Sequence, residues 1–135
     1  TGILGLEAVS RGARSCVFVD RDTTLVTKNI RLCNLASQST IMENDWAKAV
    51  TILKNKTQQF DIIFIDHPYD LQIYTEILKR ITEKELLETQ GYICIKHQTK
   101  CELPNIIGNV EIMRQRKYGT NTLTFYTGKI TAFGR

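Results

Sequence analysis

Short apolar runs, several closed by an acid, alternate with segments of helical spacing from Gly2 to about Glu88. Few folds accept that alternation. Gly2 to Gly12 places Ile3, Leu4, Leu6, Ala8 and Val9 at helical spacing, and Gly12 ends the segment. Ser15-Cys-Val-Phe-Val-Asp20 reads as a buried strand. Asp22 is placed to cap a helix from Thr23 to about Ala36, Thr40-Ile-Met42 is a weak strand, and Asp45 caps a helix through Trp46, Ala47, Val50 and Leu53. Phe60-Asp-Ile-Ile-Phe-Ile-Asp66 is the clearest strand. Leu71 to Ile81 is helical by spacing, with another turn or two expected from Glu83 to Glu88.

After Gly91 the alternation stops. Tyr92 to His97, Asn109 to Lys117 and Thr122 to Thr127 read as strands, and Tyr118-Gly-Thr-Asn121 as the turn between the last two. Strands separated by helices imply crossovers and a parallel sheet, and the closing hairpin adds an antiparallel edge. The expected fold is α/β, a doubly wound Rossmann-like sheet in one domain over residues 1–135, mostly parallel with an antiparallel C-terminal hairpin. Such a sheet normally begins with a strand that feeds its first helix. Here the helix comes first, so that strand is expected to be missing from the sequence.

Composition narrows the class. The hydrophobic share of 42% and the charged share of 24% exclude intrinsic disorder, collagen-like repeats and coiled coil. No apolar run approaches the roughly 18–20 residues of a bilayer span, and no secretory leader pattern is present. The expectation is a cytoplasmic protein with no membrane partner. Of 18 Lys and Arg and 14 Asp and Glu, residues 91–135 hold 7 basic and 2 acidic side chains, so the net +4 arises in the last third. Arg114, Arg116 and Lys117, leading into Tyr118, suit a polyanion such as RNA, and equally suit a solvated edge strand. Cys16, Cys33, Cys94 and Cys101 show no paired metal-ligand spacing and read as reduced thiols, with no metal expected.

Thr1-Gly-Ile-Leu-Gly5 has the form of the end of a glycine-rich nucleotide loop, in which glycine lets backbone approach a ligand at a helix N-terminus. Asp20 closes the next strand 15 residues after Gly5 and 18 after Gly2, close to the spacing of a carboxylate that takes a ribose diol. Gly2, Gly5 and Asp20 together point to an adenosine-containing cofactor, leaving nicotinamide dinucleotide and S-adenosylmethionine both open. Asp66-His-Pro-Tyr69 separates the two. It follows a strand, where open α/β sheets bind ligands. An acid and a backbone carbonyl there accept both hydrogens of an exocyclic base amine and aim its lone pair at a methyl donor. Tyr69 offers a stacking face, and Pro68 stiffens the turn.

These residues carry a family resemblance. Gly2 to Ala13, Val17-Phe-Val-Asp20, Glu43-Asn-Asp-Trp46, Ile62 to Tyr69 and Tyr118 to Tyr126 are similar, in order, to the bacterial small-subunit ribosomal RNA guanine-N2 methyltransferases (RsmD-like). The resemblance implies a methyltransferase fold and S-adenosylmethionine-dependent methylation of a guanine exocyclic amine in ribosomal RNA or the small subunit. Carried over by position, Gly2 and Gly5 border the cofactor, Asp20 takes its ribose, and Asp45 and Trp46 lie near the adenine. Asp66, Pro68 and Tyr69 hold the base. Trp46 fits a helix core as well. The family usually has Pro where this chain has His67, which is read as non-catalytic because a positioned amine can lose its proton to water. The other readings are an adenine-N6 methyltransferase on DNA or RNA, a nicotinamide-dependent oxidoreductase and a non-catalytic binding module.

Overall fold

The computed structural model describes Gly5 and residues 11–128, in two compact units, Thr1–Ala49 and Val50–Arg135. The first unit has β1 (Cys16–Asp20), α1 (Thr24–Leu32), a 3-10 turn at Ala36–Gln38 and β2 (Ser39–Glu43). The helix α2 (Trp46–Asn55) begins within it and continues into the second unit. There follow β3 (Phe60–Ile65), α3 (Leu71–Glu83), β4 (Leu87–Gln98), β5 (Ile106–Ile107), β6 (Val110–Tyr118) and β7 (Asn121–Gly128). Among the described residues no helix is long and apolar enough to cross a membrane.

In the first unit β1 and β2 pair in parallel, Phe18 opposite Ile41 and Asp20 opposite Glu43. Val26 and Ile30, one helical turn apart on α1, bury against Phe18 with Cys16 and Leu35 at the margin. The N-cap is Thr23, one residue later than the expected Asp22, and Asp22 sits just outside it, its Oδ1 accepting the N–H of Thr24, the first helical residue, at 3.0 Å. The helix stops at Leu32 rather than Ala36, and Asn34 turns the chain at φ 58°. Asn is among the residues that adopt this left-handed conformation most readily.

The second unit is a five-stranded sheet in the order β3-β4-β7-β6-β5. Only β3 and β4 are parallel; β4-β7, β7-β6 and β6-β5 are antiparallel. The parallel crossovers and the closing hairpin of the sequence expectation are both present. Asp70 caps α3, its Oδ1 accepting the Ile73 N–H at 2.9 Å. Tyr74, Ile77, Leu78 and Ile81 recur at helical spacing and form its buried face. Gly119 opens the two-residue turn of the β6-β7 hairpin at φ 62°, a conformation in which glycine carries no steric cost.

Two expectations need correction. The extra helical turns over Glu83 to Glu88 do not form; α3 ends at Glu83 and the chain is already in β4 at Leu87. The Phe60 N–H donates to the Leu86 carbonyl at 2.8 Å, so pairing with β3 overrides the short helical pattern. Between Phe60 and Ile62 the register shifts, and β4 bulges from Leu87 to Tyr92. Gly91 sits in that bulge because a Cβ there would lie 2.7 Å from the Asp61 carbonyl oxygen. The sequence reading also lacks β5, a two-residue edge strand joined to β6 through Gly108 at φ 57°.

Candidate functional site

The first unit holds the residues expected to meet a cofactor. Gly2 lies outside the described residues. Gly5 is helical, and a Cβ on it would fall 2.6 Å from Phe18 Cε1 and 2.7 Å from Cys16 Sγ. Glycine therefore lets the backbone at this position lie directly on β1, as the last glycine of a nucleotide-binding loop does in such folds. Asp20 is exposed at the carboxyl end of β1, and among the described residues its Oδ1 accepts a long 3.4 Å bond from the Asp22 N–H. Its carboxylate keeps acceptor capacity for a diol. Glu43, opposite it on β2, is committed: its Oε1 accepts both the Thr23 N–H at 3.2 Å and the Thr23 hydroxyl at 2.9 Å. Asp45 caps α2 through the Lys48 N–H at 2.8 Å, and Trp46 is half-buried at the first helical position.

The second unit holds the other site. Asp66-His-Pro-Tyr69 leaves the carboxyl end of β3 and runs to the Asp70 cap of α3. Asp66, Pro68 and Tyr69 form one wall of an open cleft of about 810 Å³; Tyr74 backs it, and Lys96, Gln98, Lys100 and Asn121 line the other side. Local bonds fix the loop. The Tyr69 N–H donates to the His67 carbonyl at 2.9 Å, closing a tight turn around Pro68. The His67 ring stacks on Tyr69 with centroids 4.4 Å apart and planes 22° from parallel. A stacked ring thus stiffens the loop beside Pro68.

Tyr74 holds this loop from beneath. Its ring is 1% exposed and meets Tyr69 edge-on at 5.8 Å. Its hydroxyl donates to the His67 carbonyl at 2.9 Å and accepts the Tyr69 N–H at 3.2 Å, with the Lys96 carbonyl at 3.4 Å. One buried oxygen thereby ties the loop to the end of β4. Burial pushes the Tyr74 hydroxyl pKa up, which keeps it protonated and able to donate. Burial likewise raises the Cys94 thiol to about 11, with the Asp66 charge adding to the effect, so Cys94 is a packing residue.

His97, 4% exposed, completes the floor. Its Nδ1 donates to the Gln98 carbonyl at 2.9 Å, and its Nε2 pairs with the Thr124 hydroxyl at 2.6 Å, which accepts from Gln115 Nε2 at 2.9 Å. The chain of bonds crosses β4, β7 and β6 and locks their relative register. Above the floor, the exposed Asp66 carboxylate lies 4.0 Å from Lys96 Nζ.

Asp66, Pro68 and Tyr69 are thus brought together. The basic set is divided, because residues directly opposite each other in a sheet share a face. Arg114, Arg116 and Tyr118 lie opposite Phe125, Leu123 and Asn121, whereas Lys117 lies opposite Thr122 on the other face. Sequence reasoning did not single out Tyr74, Lys96, Gln98 or Asn121. Lys96 and Gln98 carried a usable signal, since they close a strand at the same carboxyl edge as Asp66. Tyr74 carried none, being one more apolar position on a helical stripe.

The model of the family described as Conserved hypothetical protein 95 matches residues 1–127. The protein YlbH of Bacillus subtilis is 33% identical over 129 residues, covering 93% of this chain and 70% of YlbH. Ribosomal RNA small subunit methyltransferase D of Buchnera aphidicola is 30% identical over 105 residues, covering 74% of this chain and 52% of that protein. Among solved structures, a conserved hypothetical protein of Streptococcus pyogenes superposes with a TM-score of 0.86 at 26% identity, covering 95% of this chain and 80% of that one.

Proposed function

The chain belongs to the Conserved hypothetical protein 95 (RsmD) family, and from that premise we propose that it methylates the exocyclic N2 amine of a guanine in small-subunit ribosomal RNA, with S-adenosylmethionine as donor. One observation carries the proposal: a carboxylate, a rigid backbone turn and an aromatic ring converge at the carboxyl end of β3 on a cleft open to solvent. The Buchnera relative supports the RNA substrate by its name.

When bound, the donor supplies an electrophilic methyl group; its carbon bonds to the amine nitrogen as the bond to sulfur breaks. The chain's residues do the rest by positioning. Asp66 and a carbonyl of the loop accept the two amine hydrogens, directing the nitrogen lone pair outward. The Tyr69 ring, backed by His67, gives the base a stacking face, worth roughly 1–3 kcal/mol per stacked base. The amine proton leaves to water after transfer. Asp20 fits the donor's ribose diol, because its carboxylate is exposed and nearly uncommitted.

The test is transfer of tritiated methyl from S-adenosylmethionine to protein-free small-subunit ribosomal RNA, followed by nucleoside analysis. Label in N2-methylguanosine is the expected result. Label in N6-methyladenosine would overturn the guanine assignment, since the same geometry serves any exocyclic amine. Tyr74→Phe supplies a finer check on the same assay. Removing the hydroxyl that binds both His67 and Tyr69 should lower kcat about tenfold and leave KM for the donor unchanged. An unchanged kcat would show that the loop holds its shape without Tyr74.

A further inference from the structure

Strand register gathers residues far apart in sequence into one row. Lys96 on β4 lies opposite Leu123 on β7, and Leu123 lies opposite Arg116 on β6. Asp66, the residue after β3, joins this row through its 4.0 Å ion pair with Lys96. On β6 the flanking positions of the same face are Arg114, opposite Phe125, and Tyr118, opposite Asn121. Arg114, Arg116 and Tyr118 are exposed, as is Lys96 at the cleft. Adjacent strands are about 4.8 Å apart, so three steps carry the row roughly 14 Å from Asp66 to Arg116.

Resting on the methyltransferase reading above, we infer that this row is the path of the single-stranded RNA flanking the target base. It leaves the Asp66 cleft across Lys96 and Leu123 and ends on Arg116, Arg114 and Tyr118. The charge pattern selects the occupant. Among the described residues Lys96, Arg114 and Arg116 share the face; Asp66, in the row of Lys96 and Arg116, is the acid assigned to the target amine, and Glu111, opposite Thr127, lies beyond Arg114 away from the path. The cations take successive phosphates, which gives position and affinity without base specificity. The exposed Tyr118 ring, 58% accessible, offers a stacking platform to a flanking base. Lys117, though adjacent in sequence to both Arg116 and Tyr118, projects from the opposite face and lies off the path.

The experiment measures fluorescence anisotropy of a fluorescein-labelled single-stranded RNA of about twelve nucleotides with one central guanine. The full chain and its variants are titrated between about 50 and 200 mM salt, and methyl transfer to small-subunit ribosomal RNA is assayed in parallel. Arg116→Ala should weaken binding at least about threefold and reduce the salt slope by about 0.7, the loss of one phosphate contact on a single strand. Arg116→Lys should restore most of both. The loss in Lys117→Ala should be at least about threefold smaller than in Arg116→Ala. Thermal melting of each variant checks that the hairpin is folded. Equal losses in Arg116→Ala and Lys117→Ala would overturn the path, because the effect would then be diffuse charge. Methylation by the wild type with no effect of Arg116→Ala would also overturn it while leaving the activity standing. Register-dependent binding without any guanine methylation would support the path and overturn the activity. A wild type that neither binds nor methylates the RNA would overturn both.

Discussion

Asp66→Ala is expected to lower methyl transfer about 100-fold or more with donor affinity unchanged. The size follows from the proposed role. Loss of an acceptor that aims the amine leaves the nucleophile misdirected, and small misplacements cost about two orders of magnitude. The carboxylate is exposed and its ion-pair partner Lys96 sits 4.0 Å away at the surface. Such a pair is worth about 0–1 kcal/mol, so the variant should fold normally. Calorimetry with S-adenosylhomocysteine should give the wild-type Kd, separating loss of chemistry from loss of the donor site. Asp66→Asn keeps one carbonyl acceptor and should fall between the two. Wild-type turnover by Asp66→Ala would remove Asp66 from the reaction altogether.

The largest stability effect is expected at Leu78. It is 0% exposed on the buried face of α3, between Tyr74 and Ile81. Leu78→Ala removes three heavy atoms where little solvent or slack exists. The loss of transfer energy plus the cavity left behind should cost about 3 kcal/mol. Urea unfolding should show a lower midpoint with an unchanged slope. Since α3 also carries the Asp70 cap and Tyr74 beneath the loop, turnover should fall when the midpoint is approached and hold below it. A cost under about 1 kcal/mol would mean that the face of α3 is not the core of its unit.

The loop from Asp66 to Tyr69 was legible in the sequence because its cause is local. An apolar run from Phe60 to Ile65 makes a strand, Asp66 stops it, and Pro68 with the Asp70 cap starts the next element. Asp20 was legible for the same reason at the end of β1. The residues Glu83 to Glu88 misled because six residues are too few to separate helical from extended spacing, and the pairing of β4 with β3 decided the matter. β5 is shorter than any periodicity can register.

What the sequence by itself determined is the order of strands and helices and the residues that sit at their carboxyl ends, since apolar period, caps and breakers act over a few neighbouring residues. Only the tertiary structure decided which distant residues meet. Tyr74 became the clamp of its loop because the helix folds back beneath it and brings a buried hydroxyl within 2.9 Å of the His67 carbonyl. Arg116 joined the face of Lys96, and Lys117 the opposite one, because side chains alternate along a strand and the β4-β7-β6 register sets their parity. That register is a property of three paired strands, locked through His97, Thr124 and Gln115, and no single segment contains it.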